Sequence, residues 1–348
     1  MMDAVGNIHD EWFPVASCGD LQPQTCLSLT LLDSRLLLVV DTDGKPSLFP
    51  DTCPHRGAQL SLGSFDGSKL QCPYHGWEFG LDGRCLYQPA HPDREPPEAS
   101  SLPSYLLREE YGLVWACLGG NPQNLPKYPD YEEGAGRSLV LEAVSLASSG
   151  PRIVENFLDL AHFPFVHAGY LGDPKIAGID RYGVEVVEGV LRLTEVSVWQ
   201  PNPGPLATSG GPVSYEYTVS HPYAATLTKT PSDIDGGDLG GFSILLIASP
   251  LNEIECLVWR VVTVRDPEVD AEAQRAFNRT IFEQDINVVE SQLPQRLPLN
   301  LRAEAHQPAD AGSLAYRKWL TERGPTYGTV YETDRLWNDR RAGVPRFD

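Results

Sequence analysis

The chain has 348 residues, 27 of them Lys or Arg and 47 Asp or Glu, for a formal net charge of −20; 41% are apolar. At roughly 150 residues per domain this length suits two globular units. The composition excludes extensive disorder, and the charge repels phosphate backbones and anionic lipid head groups, so neither nucleic acid nor a membrane is an expected partner.

The N-terminus, MMDAVGNIHDEWFPVA, has early acidic residues and no apolar stretch behind a basic start, so no export signal is read there. No apolar run approaches the ~20 residues that span a bilayer. Seven cysteines are too sparse and too odd in number for a disulfide framework, which points to a reducing compartment. A cytoplasmic protein is expected, or a stromal one after removal of a transit peptide.

From Trp12 to about Gly120, short runs rich in Val, Leu and Phe alternate with Asp-Gly and Pro punctuation. Asp-Gly pairs at Asp43, Asp66 and Asp82 are hairpin signals, so this segment is predicted to be all-β. Residues 121 to 137, rich in Pro and polar residues without periodicity, read as a linker. The domains are accordingly placed at 1–124 and 125–348. In the second, residues 151 to 168 look helical, residues 182 to 264 hold several strand-like stretches, and residues 269 to 293 carry a 3.6-residue apolar period. The expected fold class is α+β: an all-β domain, then an α+β domain with a large antiparallel sheet flanked by helices.

Within the first domain, Cys53-x-His55 and Cys72-x2-His75 are separated by sixteen residues. Two such loops at neighbouring hairpin tips present two thiolates and two imidazoles. Thiolates hold the ferric iron of a [2Fe–2S] cluster, and two neutral imidazoles on the other iron remove negative charge and raise the reduction potential. Pro54 and Pro73 stiffen the loops, and Gly57 and Gly76 let the backbone approach. A structural zinc site also accepts two Cys and two His but usually groups like with like; one of each per loop, among strands, favours the cluster. Cys18, Cys26, Cys85, Cys117 and Cys256 are expected to be small buried hydrophobes.

Residues 155 to 167 of the second domain read Glu-Asn-Phe-Leu-Asp-Leu-Ala-His-Phe-Pro-Phe-Val-His. Asp159 and His162, at i and i+3, are neighbours on a helix face. His162 and His167 are about 140° apart on an ideal helix, and Pro164 is expected to break it so that both imidazoles reach one metal. Phe157, Phe163, Phe165 and Val166 would make the site deep and dry. For an isolated pair, ordinary core histidines would be the default; an electron donor in the same chain favours a site that receives the electrons. A two-histidine ferrous site needs one carboxylate. Asp285 shares a helix face with Phe277, Ile281, Val288 and Val289, and a lone carboxylate in an apolar stripe is costly unless paired or metal-bound. An arginine partner is the alternative. Glu283 and Glu290 lie off the stripe and read as solvated. Asp159 can accept the His162 N–H and fix its tautomer, and Asn156 is either a polar neighbour of the site or the helix start.

Together these segments resemble the oxygenase component of the Rieske non-haem iron oxygenases over nearly the whole chain. The resemblance lies in WFPVA from Trp12, the Cys53 to His75 motif, the acid-x3-Asp-x2-His-x4-His segment from Glu155 to His167, and Phe282-Glu283-Gln284-Asp285. It implies a Rieske [2Fe–2S] cluster on Cys53, His55, Cys72 and His75, and a mononuclear Fe(II) on His162, His167 and Asp285. Asp159 would belong to the catalytic machinery, linking His162 to His75 of the partner subunit in a homotrimer. The implied activity uses O2 and electrons from a separate NAD(P)H-dependent reductase, directly or through a ferredoxin, to hydroxylate or O- or N-demethylate a small-molecule substrate. The short length and the Asn156-x2-Asp159 spacing are similar to the monooxygenases and demethylases rather than to the larger ring dihydroxylases. PAHPDREPP, HFPFVHAGYLGD, PQRLPL and AYRKWL are most similar to the Rieske hydroxylases of the saxitoxin pathway.

Two rivals remain at this point. A Rieske electron carrier needs only the first domain, and a zinc-binding interaction protein needs neither iron site. GGDLGGF at 236 to 242 lacks the G-x-G-x-x-G spacing and the following helix of a dinucleotide site, and no plant-type ferredoxin cysteine run is present. NAD(P)H is therefore expected to be oxidised by another protein. Substrate-lining residues are expected from the strands between Val213 and Val264 and from the helix near Asp285, with His221, Tyr223 and Trp259 as candidate contacts.

Overall fold

The computed structural model describes residues 7–203, 209–231, 241–324 and 327–331, so most of the GGDLGGF segment lies outside the described residues. The chain divides into two compact units, one of residues 9–124 and one that joins the described residues 7 and 8 to those from 125 onward. Among the described residues no helix is long and apolar enough to cross a membrane.

Ten short strands build the first unit: β1 (Phe13–Ser17), β2 (Cys26–Leu31), β3 (Ser34–Val40), β4 (Pro46–Pro50), β5 (Ser64–Phe65), β6 (Lys69–Gln71), β7 (Glu78–Gly80), β8 (Cys85–Tyr87), β9 (Leu106–Glu110) and β10 (Leu113–Cys117). They pair as three antiparallel sheets in the orders β1-β10-β9, β2-β3-β4 and β5-β6-β7-β8. Each predicted Asp-Gly pair does turn the chain: Gly44, Gly67 and Gly83 take φ of +85°, +90° and +83°, a region that costs glycine little. The Asp66 and Asp82 carboxylates accept the Ser68 and Arg84 N–H groups at 2.8 and 3.0 Å and so close their own turns. Leu37, Val39, Phe49, Leu60, Leu70 and Phe79 pack into one core that also holds Cys53 and Cys72.

The second unit begins inside the segment expected to be a linker. Tyr128 is fully buried with its hydroxyl between the Ser243 and Val261 carbonyls, at 3.0 and 3.1 Å. A buried aromatic ring with a satisfied hydroxyl outweighs the polar, Pro-rich composition around it. The short helix α1 (Pro129–Glu132) leads into β11 (Arg137–Val140), β12 (Val144–Leu146), β13 (Gly183–Val187), β14 (Val190–Gln200), β15 (Gly211–His221), β16 (Ala224–Pro231), β17 (Phe242–Asn252) and β18 (Glu255–Val264). These form one eight-stranded antiparallel sheet in the order β11-β18-β17-β16-β15-β14-β13, with β12 pairing β18. Along β15, Val213, Tyr215, Tyr217 and Val219 alternate inward with period two. β16 escapes detection from apolar runs because Thr226, Thr228, Lys229 and Thr230 dilute its pattern.

Four further helices follow in chain order: α2 (Gly150–Leu158), α3 (Phe163–Val166), α4 (Ala271–Ser291) and α5 (Ala311–Arg323). α2 packs on β16 and β17, and α5 on β13 and β14, within a single core. Ser149 caps α2, accepting the Arg152 N–H, and Asp270 caps α4, accepting that of Ala273 at 2.9 Å. Asn156 therefore lies in the last turn of α2, not at a helix start. α2 and α5 are clamped by buried charges. Arg317 reaches Glu155 and Glu304, each at 2.5 Å, and Arg152 reaches Glu304 at 2.6 Å.

Candidate active site

The two Cys-His loops of the first unit repeat one backbone design. Gly57 N–H returns to Cys53 O at 2.9 Å and Gly76 N–H to Cys72 O at 3.1 Å, while the Cys53 and Cys72 N–H groups donate to Ala58 O and Trp77 O. The cysteines are buried and the histidines exposed. His55 and His75 turn their Nδ1 atoms toward each other at 3.2 Å, and Trp77 stacks on the His55 ring at 4.6 Å. Desolvation, then the neighbouring His75 and Arg56 charges, hold the His55 imidazole below its ordinary pKa, favouring the neutral form that ligates metal. Burial pushes the Cys53 thiol up to about 11, with Cys72 adding to the effect. Two adjacent buried sulfurs beneath two converging Nδ1 atoms fit the mixed ligation of a Rieske cluster. Of the remaining cysteines, Cys85, Cys117 and Cys256 are buried, but Cys26 is exposed and Cys18 half-exposed, contrary to expectation.

In the second unit α2 does not run on into the histidines. It ends at Leu158, Asp159 turns extended (φ −79°, ψ 141°), and the Asp159 carboxylate then accepts the Ala161 and His162 N–H groups at 3.2 Å. The chain thus leaves the helix at Asp159, ahead of both histidines, and Pro164 does not break it between them; the two histidines are the cap residues of the single-turn α3, which stops at His167 (φ −108°, ψ 35°). Pro164 occupies the first turn of α3, where a missing N–H costs nothing. His162 and His167 flank α3 at its two ends.

Their Nε2 atoms lie 3.2 Å apart, and Asp285 Oδ1, from α4, lies 3.5 and 3.3 Å from them. All three ligand atoms fall within 4.8 Å of one another. The opposite ring nitrogens are held: His162 Nδ1 by Asp159 Oδ2 and His167 Nδ1 by Gln284 Oε1, both at 2.8 Å. Both partners accept, so each ring carries its proton on Nδ1 and presents an Nε2 lone pair. Asp285 Oδ1 is buried without a hydrogen-bond donor, and no arginine pairs with it in the described residues. Two imidazole lone pairs and one orphaned carboxylate oxygen fit the facial set that holds ferrous iron. Burial works to raise the Asp159 pKa, but the bonded, adjacent His162 and the two backbone N–H groups outweigh it and keep the carboxyl below its usual value.

These ligands open onto a cavity walled by Phe157, Phe163, Leu246, Phe277, Ile281 and Phe282. Asn156, Asn278, Tyr215, Tyr217 and Lys229 are its polar members. The strands and helix expected to line it do so; His221, Tyr223 and Trp259 do not. Phe165 is 64% exposed and does not shield the site as expected, and Val288, 43% exposed, stands outside the buried stripe expected on this helix. Glu283 is exposed, whereas Glu290 is half-buried and accepts the Ala147 N–H at 2.9 Å.

Residues 11–106 match the Rieske [2Fe-2S] domain, and residues 147–324 match the vanillate O-demethylase oxygenase C-terminal domain. The chain belongs to the Rieske non-haem iron oxygenases. It is 30% identical to methylxanthine N1-demethylase NdmA of Pseudomonas putida over 321 residues, 89% of this chain and 88% of that one. It is 36% identical to the probable methylxanthine N7-demethylase NdmC of Pseudomonas sp. (strain TJI-51) over 63% of this chain and 78% of the relative. The solved structure of Pseudomonas putida CBB5 NdmA with caffeine superposes with a TM-score of 0.77 at 26% identity, covering 94% of this chain and 98% of that one. As a Rieske oxygenase the protein uses O2 and electrons from a separate reductase to hydroxylate or oxidatively demethylate a small organic substrate at mononuclear iron. An oxygenase domain is what the electron-carrier reading left unexplained. The finer likeness to saxitoxin-pathway hydroxylases rests on the sequence segments alone.

Three features of this Rieske oxygenase are not apparent from the sequence. Gln284 stands beside Asp285 in the quoted motif, and its polarity on a half-buried face was the available signal. Glu155 lies in the acid-x3-Asp motif and Arg317 in AYRKWL, but nothing in either segment signals that the two pair or that Arg152 joins them. Lys229 in β16 carried no signal.

Proposed function

We propose that this oxygenase oxidatively removes a methyl group from a small, flat aromatic or N-heteroaromatic substrate. The observation that carries the reading is the convergence of His162 Nε2, His167 Nε2 and Asp285 Oδ1 within 4.8 Å at a mostly apolar cavity. The demethylase names of NdmA and NdmC support the reaction class.

Fe(II) held by His162, His167 and Asp285 supplies the site where O2 is reduced and a C–H bond oxidised. Cys53, His55, Cys72 and His75 hold the [2Fe–2S] cluster. Asp159 keeps the proton of His162 on Nδ1, and Gln284 does the same for His167, so both Nε2 lone pairs stay available. Asp159 also lines a second, polar cavity with Arg152, Asn156 and His306, where its ionised carboxylate can accept the N–H of His75 of the partner subunit in a homotrimer. The aromatic wall excludes water and holds the substrate ring with its methyl-bearing edge toward the ligands. The protein works in the cytoplasm, with the reductase acting directly or through a ferredoxin.

Metal analysis and product analysis test the reading together. Three irons per chain and no zinc are expected. His162→Ala should keep the visible spectrum of the cluster, lose one iron and release no formaldehyde from methylated aromatics. Zinc in place of iron, or turnover that survives in His162→Ala, would sink it.

A further inference from the structure

Lys229 is only 2% exposed, and its Nζ is buried with no hydrogen-bond partner among the described residues. Lysines are almost never fully buried unless paired, because an ammonium removed from water costs several kcal/mol or more. Three aromatic rings surround it: Tyr215, Phe242 and Phe277, with centroids 5.8, 5.5 and 5.4 Å from Nζ. Ring faces compensate a cation in part. No acceptor among the described residues, the Tyr215 hydroxyl included, lies within hydrogen-bond distance of its three N–H donors. Burial accordingly holds the ammonium down at about 7.

The cage has one further neighbour, because Lys229 lines the same cavity as His162, His167 and Asp285. Its position in that cavity is fixed by pairing: Lys229 lies opposite Tyr215 on β15 and opposite Phe242 on β17. Phe277 and Asp285 both sit on α4, eight residues apart, about 12 Å along the axis at 1.5 Å per residue. The unpaired cation and the metal ligands thus mark two ends of one apolar slot. A second orphan donor, the Tyr217 hydroxyl, lies on the same wall.

We infer that the slot takes a flat, largely apolar substrate with one terminal carboxylate, and that Lys229 binds this carboxylate while the methyl-bearing end faces His162, His167 and Asp285. The inference rests on the reading of this cavity as the oxygenase's substrate site. A carboxylate supplies the acceptors and the opposite charge that the aromatic cage withholds, and pairing two buried ions removes most of the cost of either alone. An uncharged substrate would leave the ammonium as it stands. Lys229 is in this sense a specificity residue; it touches no group placed in the metal site.

Matched pairs separate charge from shape. Binding of 4-methoxybenzoate and 4-methoxycinnamate to the iron-loaded protein under anaerobic conditions is compared, by calorimetry, with binding of the corresponding amides. At least one acid should bind 30-fold or more tightly than its amide. Lys229→Met should remove that difference while leaving the amide within about threefold; Lys229→Gln serves as the second variant. Amides that bind as tightly as the acids in both pairs overturn the inference, as does a loss shared equally by acid and amide in either variant, and the wild-type comparison needs no variant to fold. Formaldehyde release is read separately. Lys229-dependent binding of the acid without any demethylation by the reduced system would leave this inference standing and remove the demethylase reading. Demethylation of the amides alone would do the reverse.

Discussion

The two histidine pairs of this protein, one in each unit, use opposite nitrogens. His55 and His75 converge through Nδ1 on exposed loops, so their Nε2 edges face outward. His162 and His167 converge through Nε2 behind an aromatic wall, and their Nδ1 edges are taken up by Asp159 and Gln284. One imidazole chemistry thereby serves two ends. The exposed pair leaves its far edge toward solvent, whereas the buried pair uses its far edge to fix ring orientation and tautomer. On the proposed ligand assignment, an electron entry site and an oxygen-activating site would differ in the environment of the ring nitrogen that faces away from the metal.

Reciprocal substitutions break this comparison most sharply. His55→Ala should abolish the visible absorbance of the cluster yet retain the mononuclear iron, and His162→Ala should do the opposite; both should reduce turnover to background. Loss of both metal signals from either variant would show that the two sites do not assemble independently. The next largest effect concerns the support of the buried pair. Arg317→Met leaves Glu155 and Glu304 short of a buried partner and should cost about 3–5 kcal/mol in urea unfolding of the second unit. The cluster absorbance should persist beyond the point at which that unit has lost its tertiary signal.

Removal of one far-edge partner comes third. Gln284→Leu releases the His167 Nδ1 proton from its acceptor and should lower Fe(II) affinity about 10- to 100-fold, measured by chelator competition. Unchanged affinity would mean that the far edge of the buried pair matters no more than that of the exposed pair. The smallest effect is a pH slope. Burial lowers the Lys229 pKa from 10.5 to about 7, so between those values the unfolded chain binds one proton more than the folded chain. Unfolding free energy then rises with pH, by up to about 1.4 kcal/mol per unit. Lys229→Met should lack this contribution and should be more stable than the wild type near pH 7, as shown by urea midpoints at pH 7.5 and 9.5.

Much of this was legible in the sequence because the chemistry is carried by short segments. Cys53 to His75 and Asp159 to His167 hold their ligands within a few residues of a turn, and Asp285 betrayed itself as a carboxylate in an apolar stripe. What stayed hidden depends on contacts between distant segments. The chain turns at Asp159 because its carboxylate caps the next turn, an effect that Pro164 masked by offering a simpler breaker. Tyr128 belongs to the second unit through carbonyls more than a hundred residues away. Lys229 is buried because β15, β17 and α4 meet around it, and nothing in the pattern of β16 alone signals this.

The clamp between α2 and α5 also sets an order of events during synthesis. Glu155 and Arg317 are 162 residues apart in sequence, an interval of about 8 to 30 s at 5–20 residues per second. Throughout that interval the segment bearing Asp159, His162 and His167 has left the ribosome with Arg152 beside Glu155 but without the second arginine, from α5, that completes the clamp. Asp285 also emerges before Arg317. The nascent chain therefore presents His162, His167 and Asp285 before the Glu155–Arg317 pair can form, and the clamp closes only once α5 has been made.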